Sequence, residues 1–152
     1  MKRYVIIFIL LFCSVSGAQK KRDNNIFFEL FGNAGAYSLN YDRVVYSDFS
    51  VRLGGMVLPT DTKPIVSIPL ILNYRFYVGG NYIETGLGTT FFSSPLNFGK
   101  LGEKTAQGEI MTGVVSYCIQ SEGGINTRIS FTPFYYNEKV ILFGGFSFGY
   151  SF

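Results

Sequence analysis

The sequence lacks histidine and tryptophan and is poor in charge. None of its 152 residues is His or Trp, and Asp, Glu, Lys and Arg together make up 15%, against roughly 25% in an average protein. Histidine is the side chain that most often serves as a general base at neutral pH, and it is the commonest metal ligand. Its absence argues against an enzyme, and we predict no catalytic residues, no metal site and no cofactor.

Long apolar runs are absent as well. Hydrophobic residues make up 47% of the chain and aromatic residues 18%, yet no run reaches the 18 or more residues that a membrane-spanning helix needs. Nor do the apolar residues follow the 3.6-residue period of a soluble helical domain. An apolar chain that crosses a membrane without such a helix has to do so as a closed β-barrel.

The N-terminus has the pattern of a secretory signal peptide. Lys2 and Arg3 form a basic region, residues 4–12 are apolar, and residues 16–18 are small. This pattern predicts cleavage before Gln19, so that residues 1–18 are removed on export.

Cysteine is scarce, and cleavage would remove half of it. The bulky Phe12 that precedes Cys13 is unsuitable for a lipoprotein site, and Cys13 lies within the predicted signal peptide. Cys118 then has no intramolecular partner, and we predict a small residue packed within a strand and no internal disulfide. Cleavage also lowers the formal net charge from +3 to +1, which leaves no electrostatic case for nucleic-acid binding.

The rest of the chain alternates between apolar and polar residues. Residues 19–25 are polar and predict a flexible leader, and residues 26–152 predict a single domain. Period-two alternation between turn-forming residues indicates strands, and it predicts an all-β, up-and-down antiparallel transmembrane barrel of eight strands. The predicted strands are residues 26–32, 36–46, 49–58, 65–78, 81–92, 109–119, 125–136 and 140–152.

The connections alternate in length, as in outer-membrane barrels, which have short periplasmic turns and longer external loops. The turns near Ser47, Gly79 and Ser121 are short, whereas 59–64, 93–108 and 136–139 predict an external surface for a ligand or partner. Residues 26–46 leave two alternatives open: a tight turn at 32–35, or one kinked strand that would reduce the count to seven. Pro69, inside the fourth strand, predicts a local bulge.

Charged residues fall on the face opposite to the apolar one. With the apolar face outward, three acids and three bases point inward, namely Glu29, Asp42, Glu84, Arg52, Arg75 and Arg128. Hairpin registers predict the pairs Asp42–Arg52 and Arg75–Glu84, because opposed residues on one face lie about 4.5–5.5 Å apart. A barrel of eight strands is filled by side chains, so a plugged polar interior is predicted. A proton pathway, an ion pathway or a catalytic constellation is the functional alternative.

The last strand ends on Phe146, Phe148, Tyr150 and Phe152, all of one parity. With residues 37–43 and 52–55, it resembles the small outer-membrane barrels of the OmpA, OmpX and OmpW type. The resemblance implies that barrel-assembly machinery reads these four aromatic residues as a C-terminal signal. It also implies residence among the outer-membrane lipids of a Gram-negative bacterium. OmpW-type barrels imply, in addition, an apolar channel for small hydrophobic molecules.

Three functions follow from these patterns. The first is a structural or surface-exposed barrel without catalytic activity. The second is an OmpW-like transporter or binder of small hydrophobic ligands. The third is a soluble, lipocalin-like carrier with the apolar face turned inward, which the absence of Trp, the lack of a helix signal and the six charged residues disfavour.

Overall fold

The computed structural model describes residues 22–61, 63–96 and 106–152 as one closed barrel. Each strand pairs antiparallel with the next, and the last pairs with the first. The strands are β1 (Asn24–Phe31), β2 (Tyr37–Tyr46), β3 (Phe49–Leu58), β4 (Ile65–Val78), β5 (Asn81–Leu96), β6 (Ala106–Gln120), β7 (Ile125–Tyr136) and β8 (Lys139–Ser151). The predicted fold of eight strands is confirmed, and a single kinked strand over 26–46 is wrong. In the described ranges no helix is long and apolar enough to cross a membrane.

The two ends of the barrel differ, and we name them by what they carry. The terminal end holds the start of β1, the end of β8 and the turns at 47–48, 79–80 and 121–124. The loop end holds the turn at 32–36, the segment 59–64 and the turn at 137–138. The predicted signal peptide lies outside the described residues, as does the segment 97–105.

The barrel begins earlier in the chain than the polar leader suggested. β1 starts at Asn24, and the Arg22 side chain donates hydrogen bonds to the carbonyl oxygens of Ser151 at 2.5 Å and Glu122 at 2.6 Å. The Asp23 carbonyl accepts a bond from the amide of Val44. A flexible leader is therefore wrong for residues 22–25, because these backbone and side-chain bonds continue the wall.

Two further strand boundaries differ from the sequence prediction. β5 continues to Leu96 and β6 begins at Ala106, so the predicted connection over 93–108 shrinks to 97–105. The register shifts between Phe92 and Leu96, where β5 leaves its regular pairing with β6. The sequence does not indicate this part of β5, because residues 93–96 do not alternate between apolar and polar types.

The bulge predicted at Pro69 is not formed. Pro69 pairs in register with Thr90 on β5, and the pairs Leu53–Leu70 and Met56–Ser67 keep one register on the β3 side. Gly54 faces Pro69, and a methyl group at Gly54 would lie 2.8 Å from the proline ring. The lack of a side chain at Gly54 makes room for the ring, so the strand accommodates proline without an extra residue.

The apolar face points outward along every strand. Leu39, Leu87 and Ile129 are each more than 60% exposed, whereas polar residues of the opposite parity are buried. Of the described outward positions on the strands, only two carry charge: Arg43 near the terminal end and Glu109 near the loop end. The lipocalin-like arrangement, with the apolar face inward, is therefore wrong.

Candidate functional site: the barrel lumen

A network of charged side chains fills the half of the lumen nearest the terminal end. Glu84 lies at its centre, where Oε1 contacts both Arg52 Nη2 and Arg128 Nη1, the latter at 2.8 Å. Arg75 Nη2 lies 2.6 Å from Asp42 Oδ2, and Arg75 Nε lies 3.5 Å from Glu84 Oε2. All five side chains are buried. Buried charges are tolerated when they are paired and hydrogen-bonded, and here each cation has a carboxylate partner.

The register of the hairpins predicts only one of these partners correctly. Arg75 lies opposite Glu84 in the β4–β5 register, and the two form an ion pair as predicted. Asp42 also lies opposite Arg52, but that predicted pair is wrong, because Asp42 pairs with Arg75 and Arg52 reaches Glu84. In a narrow barrel the inward side chains converge on the axis, so a long arginine can reach strands that are not its neighbours.

Aromatic rings line the same half of the lumen. The guanidinium groups of Arg52 and Arg128 lie 5.1 and 4.2 Å from the centre of the Phe27 ring, and that of Arg75 lies 5.1 Å from the Tyr82 ring. Such cation–π contacts stabilise a cation that has left water. Sequence reasoning missed Phe27 and Tyr82 as members of the site, although each shares the inward parity of a charged residue on its own strand.

Cys118 is a packed lumen residue, as predicted. It is buried and lies opposite Tyr82 on β5 and Arg128 on β7. Since the thiol is enclosed by the wall and by these two large side chains, it belongs to the packing of the lumen.

Glu29 is separated from the charge network. It is fully buried, but none of the ion pairs in the described part of the chain includes it. Its carboxyl group lies against the backbone of the β1–β2 turn, so that a methyl group at Gly32 would be 2.5 Å from the carboxyl carbon. A methyl group at Gly145 would lie 3.1 Å from Oε1. Two glycines thus make the space that this carboxyl group occupies.

The β1–β2 turn folds into the lumen instead of projecting from the loop end. Residues 32–35 are all buried. Lumen side chains bond to the backbone of the turn: Ser67 Oγ donates to the Ala34 carbonyl and Thr90 Oγ1 to the Asn33 carbonyl, both at 2.7 Å. The Asn33 amide group donates to Thr112 Oγ1 at 2.6 Å and to the Gly113 carbonyl at 2.9 Å. The turn is therefore anchored to β4, β5 and β6 and blocks the lumen from within.

An apolar cluster surrounds the inserted turn on the side of the loop end. It consists of Ala34, Met56, Phe92, Ile110 and Phe134, all buried. Partly buried apolar side chains pack around it, among them Leu58, Ile65 and Phe143. The lumen is thus occluded at two levels, by apolar packing around the turn and by the charge network below it.

The chemistry available in this lumen is limited. In residues 22–61, 63–96 and 106–152 no group of three or more His, Cys, Asp or Glu side chains could hold a metal ion. The carboxylates of the network are engaged with arginines, and Cys118 is enclosed. The arrangement can hold charge in a fixed pattern of ion pairs and can resist the passage of solutes.

The C-terminal aromatic residues lie on the wall, away from the lumen. Phe146, Phe148, Tyr150 and Phe152 are all more than half exposed and point outward from the last strand and its end. The backbone of Phe152 exchanges two hydrogen bonds with Asn24, at 2.9 and 3.1 Å. The predicted signal residues thus form one outward stripe beside the seam that closes the barrel.

Comparison with known proteins identifies the fold. The sequence matches no protein-family model and no curated protein. The structure is similar to the crystal structure of the N-terminal β-barrel domain of Pseudomonas aeruginosa OprF, with a TM-score of 0.58 and 14% identity over 88% of this chain and 98% of that one. The solid-state NMR structure of the outer membrane protein AlkL in DMPC bilayers aligns with a TM-score of 0.38 and 13% identity, over 90% of this chain and 93% of that one. The chain therefore has the small, eight-stranded up-and-down barrel fold of the class that its sequence resembles.

Proposed function

We propose that the protein is an integral outer-membrane barrel with an occluded lumen, and that it serves as a structural or surface-exposed component without catalytic activity. The observation that carries the proposal is the combination of an outward apolar face with a lumen filled at two levels. A polar interior and an apolar exterior invert the arrangement of a soluble protein, and they match the two environments of a transmembrane barrel.

The dimensions of the wall support the membrane location. A transmembrane strand needs about 9–11 residues at a tilt of about 45°, and seven of the eight strands have between 10 and 16. Aromatic rings gather near the terminal end, where the Tyr74 ring packs edge-on against Phe49 and Phe76. Such rings typically mark the membrane interface.

The alternation of turns supports an orientation for the two ends. We place the terminal end in the periplasm and the loop end outside the cell, following cleavage of residues 1–18 during export. The outward stripe from Phe146 to Phe152 would then be available to barrel-assembly machinery before the seam closes. At the loop end, residues 59–61, 63 and 64 and the turn at Asn137 and Glu138 are exposed, and they belong to the surface proposed for an external ligand or partner.

The test combines gel mobility with conductance. The unheated protein from the outer-membrane fraction should migrate as a compact band that shifts on boiling, because a closed barrel resists detergent. Reconstituted in planar bilayers, it should show no steady ohmic conductance, since two layers of side chains block the lumen. Recovery in the soluble fraction would overturn the membrane location, and a steady porin-like current would overturn the occluded lumen.

A second function, an OmpW-like binder of small hydrophobic molecules, is favoured by the apolar cluster. Met56, Phe92 and Phe134 line the loop half of the lumen with apolar side chains, which are packed together and would have to move apart to admit an apolar molecule. Extraction of the purified barrel should then release bound lipid or hydrocarbon, and Phe134→Ala should alter the amount recovered. An extract free of apolar compounds, together with no binding of an added alkane, would refute this function.

A further inference from the structure

A groove crosses the outward face of β4 to β7. It has a volume of about 510 Å³, within the range of roughly 300–1,000 Å³ that is typical of specific ligand sites. Its lining includes Leu72, Tyr74, Leu87, Gly113, Val115 and Pro133. The groove exists because Gly113 projects no side chain into a face that is otherwise covered by large apolar residues.

One row of laterally paired residues connects this groove to Arg43, the outward-facing charged residue near the terminal end. Neighbours in the row oppose each other across successive strands, from β2 to β7: Arg43, Val51, Leu72, Leu87, Gly113 and Pro133. The flanking pairs Thr112–Phe134 and Val115–Phe131 set Gly113 opposite Pro133. All six residues belong to the outward parity of their strands.

The row rises obliquely along the barrel, because the strands tilt. Arg43 lies three residues before β2 ends at Tyr46, at the terminal end, whereas Pro133 lies three residues before β7 ends at Tyr136, at the loop end. A cation near one membrane interface is thus followed by an apolar groove that runs towards the opposite leaflet. This is the order of charge and hydrocarbon in a phospholipid.

We propose that Arg43 and this groove form a binding site for one phospholipid of the periplasmic leaflet, with the phosphate on Arg43 and an acyl chain between Leu72, Leu87 and Gly113. The proposal rests on the proposed membrane location. Arginine binds phosphate oxygens with two parallel hydrogen bonds, and a lipid-facing arginine is tolerated near the interface, where its cost falls to about 0–1 kcal/mol. An acyl chain restores the dispersion contacts that the missing side chain at Gly113 leaves unmade.

A second copy of the chain fits the groove less well. A two-fold interface brings the same patch of both subunits together, so groove would face groove and leave the space unfilled. Among the eight described strands, the closed barrel also leaves no free edge for another chain to pair with. A flexible acyl chain needs neither a complementary knob nor an edge.

Fluorescence quenching can test the site, because the native chain has no tryptophan. Leu87→Trp places a reporter in the lining of the groove, and Phe146→Trp places a matched outward reporter on β8. Each variant is refolded into phosphatidylcholine vesicles that contain increasing fractions of brominated-chain phosphatidylglycerol. We expect Leu87→Trp to reach half-quenching at a mole fraction roughly two- to fivefold lower than Phe146→Trp, the preference that an exposed ion pair can supply.

Further substitutions test the contact with the lipid headgroup and the contact with the acyl chain separately. In the Leu87→Trp background, Arg43→Gln and Gly113→Phe should each abolish the preference, whereas Arg43→Lys should retain part of it. A methyl group at Gly113 would lie 3.6 Å from Leu87, an ordinary contact, and 3.3 Å from the Pro133 ring, which must shift by a few tenths of an ångström. The band shift on boiling serves as the check that each variant has folded.

The outcomes distinguish the site from the membrane location. Equal quenching curves for the two reporters would overturn the site while leaving the barrel in the membrane. If only one of the substitutions Arg43→Gln and Gly113→Phe abolished the preference for brominated phosphatidylglycerol, a single lipid would not bind Arg43 and the groove together. Folded protein whose reporters are both unquenched would show that it does not enter the bilayer, and the proposed function would fail first.

Discussion

The two halves of the lumen are filled by opposite kinds of chemistry. Near the terminal end, three arginines surround Glu84 and Asp42, and Phe27 and Tyr82 provide the neighbouring rings. Towards the loop end, Met56, Phe92, Ile110 and Phe134 pack around a hairpin turn that is folded inward. The wall is the same eight strands in both halves, and only the residues of the inward parity differ.

The two halves of the lumen should therefore tolerate substitutions differently. Charges in the terminal half have lost their hydration, so each depends on its partner. Removal of one partner leaves the opposite charge buried without compensation. In the loop half the cost of a substitution scales with the volume removed, because dispersion and burial are spread over many contacts. A single substitution in the terminal half should therefore cause a large loss of stability, whereas the loss in the loop half should grow with the volume removed.

Removal of the central carboxylate should give the largest effect. Glu84→Gln preserves shape but leaves Arg52 without its carboxylate partner and Arg128 with only Asp42 at 4.0 Å. We expect a loss of about 3–5 kcal/mol of unfolding free energy. Urea unfolding in vesicles, followed by the gel-mobility shift, measures it. Ile83→Val, on the outward face of the same strand, is the control and should stay within about 0.5 kcal/mol of the native value. A loss of similar size in both variants would contradict a special role for the network.

Release of the inserted turn should have an intermediate effect. Asn33→Ala removes the hydrogen bonds to Thr112 and to the Gly113 carbonyl, and a buried polar group left without its partner costs about 1–3 kcal/mol. The same urea titration measures the loss. Gly55→Ala on the lipid-facing side is the control, because a methyl group there meets no atom within 4 Å. A native midpoint for Asn33→Ala would mean that the hydrogen bonds from Ser67 and Thr90, together with apolar packing, are enough to hold the turn.

Trimming the apolar cluster should have a smaller effect. Ile110→Val removes one methylene group from the loop half, for which we expect a loss of about 0.5–1.5 kcal/mol. Ile119→Val makes the identical change on the outward face of the same strand, where lipid can fill the space. If the two substitutions were equally costly, packing inside the lumen would not be tighter than packing against lipid.

The smallest effect is expected from thiol labelling, which tests whether reagents can enter the terminal half of the lumen. A maleimide should leave Cys118 unmodified in the folded barrel and modify it after boiling, because the thiol is fully buried. Ser121→Cys, at the exposed turn between β6 and β7, should react in the folded state and serves as the positive control. Rapid labelling of Cys118 before boiling would show that water-soluble molecules enter this half of the lumen.

Most of the wall could be predicted from the sequence, because a strand with one polar and one apolar face needs only local alternation to specify which way each side chain points. The register at Gly79–Gly80 even predicts the Arg75–Glu84 ion pair. Predictions failed where the answer depended on residues distant in the chain. Pro69 forms no bulge because Gly54 lies opposite and leaves space for its ring. Asp42 pairs with Arg75 instead of Arg52, because Arg75 reaches it in the lumen.

The direction of the β1–β2 turn shows the limit most clearly. Gly32, Asn33, Ala34 and Gly35 predict a tight turn, but nothing within the segment indicates whether it projects outward or inward. Its insertion depends on Ser67, Thr90 and Thr112, which come from three later strands. Such bonds exist only once the barrel has closed and brought these hydroxyl groups around the same space.

The alternating faces of the strands and the polar character of the interior follow from the sequence, since each is a local property of side-chain spacing. The choice between eight strands and seven required the folded barrel, in which residues 32–36 form a turn. The tertiary structure alone decided which charges meet, that the first turn plugs the lumen, and that Arg43 lies in one row with the groove at Gly113. These follow from closure and tilt, which place residues from different strands at the same height or around the same axis.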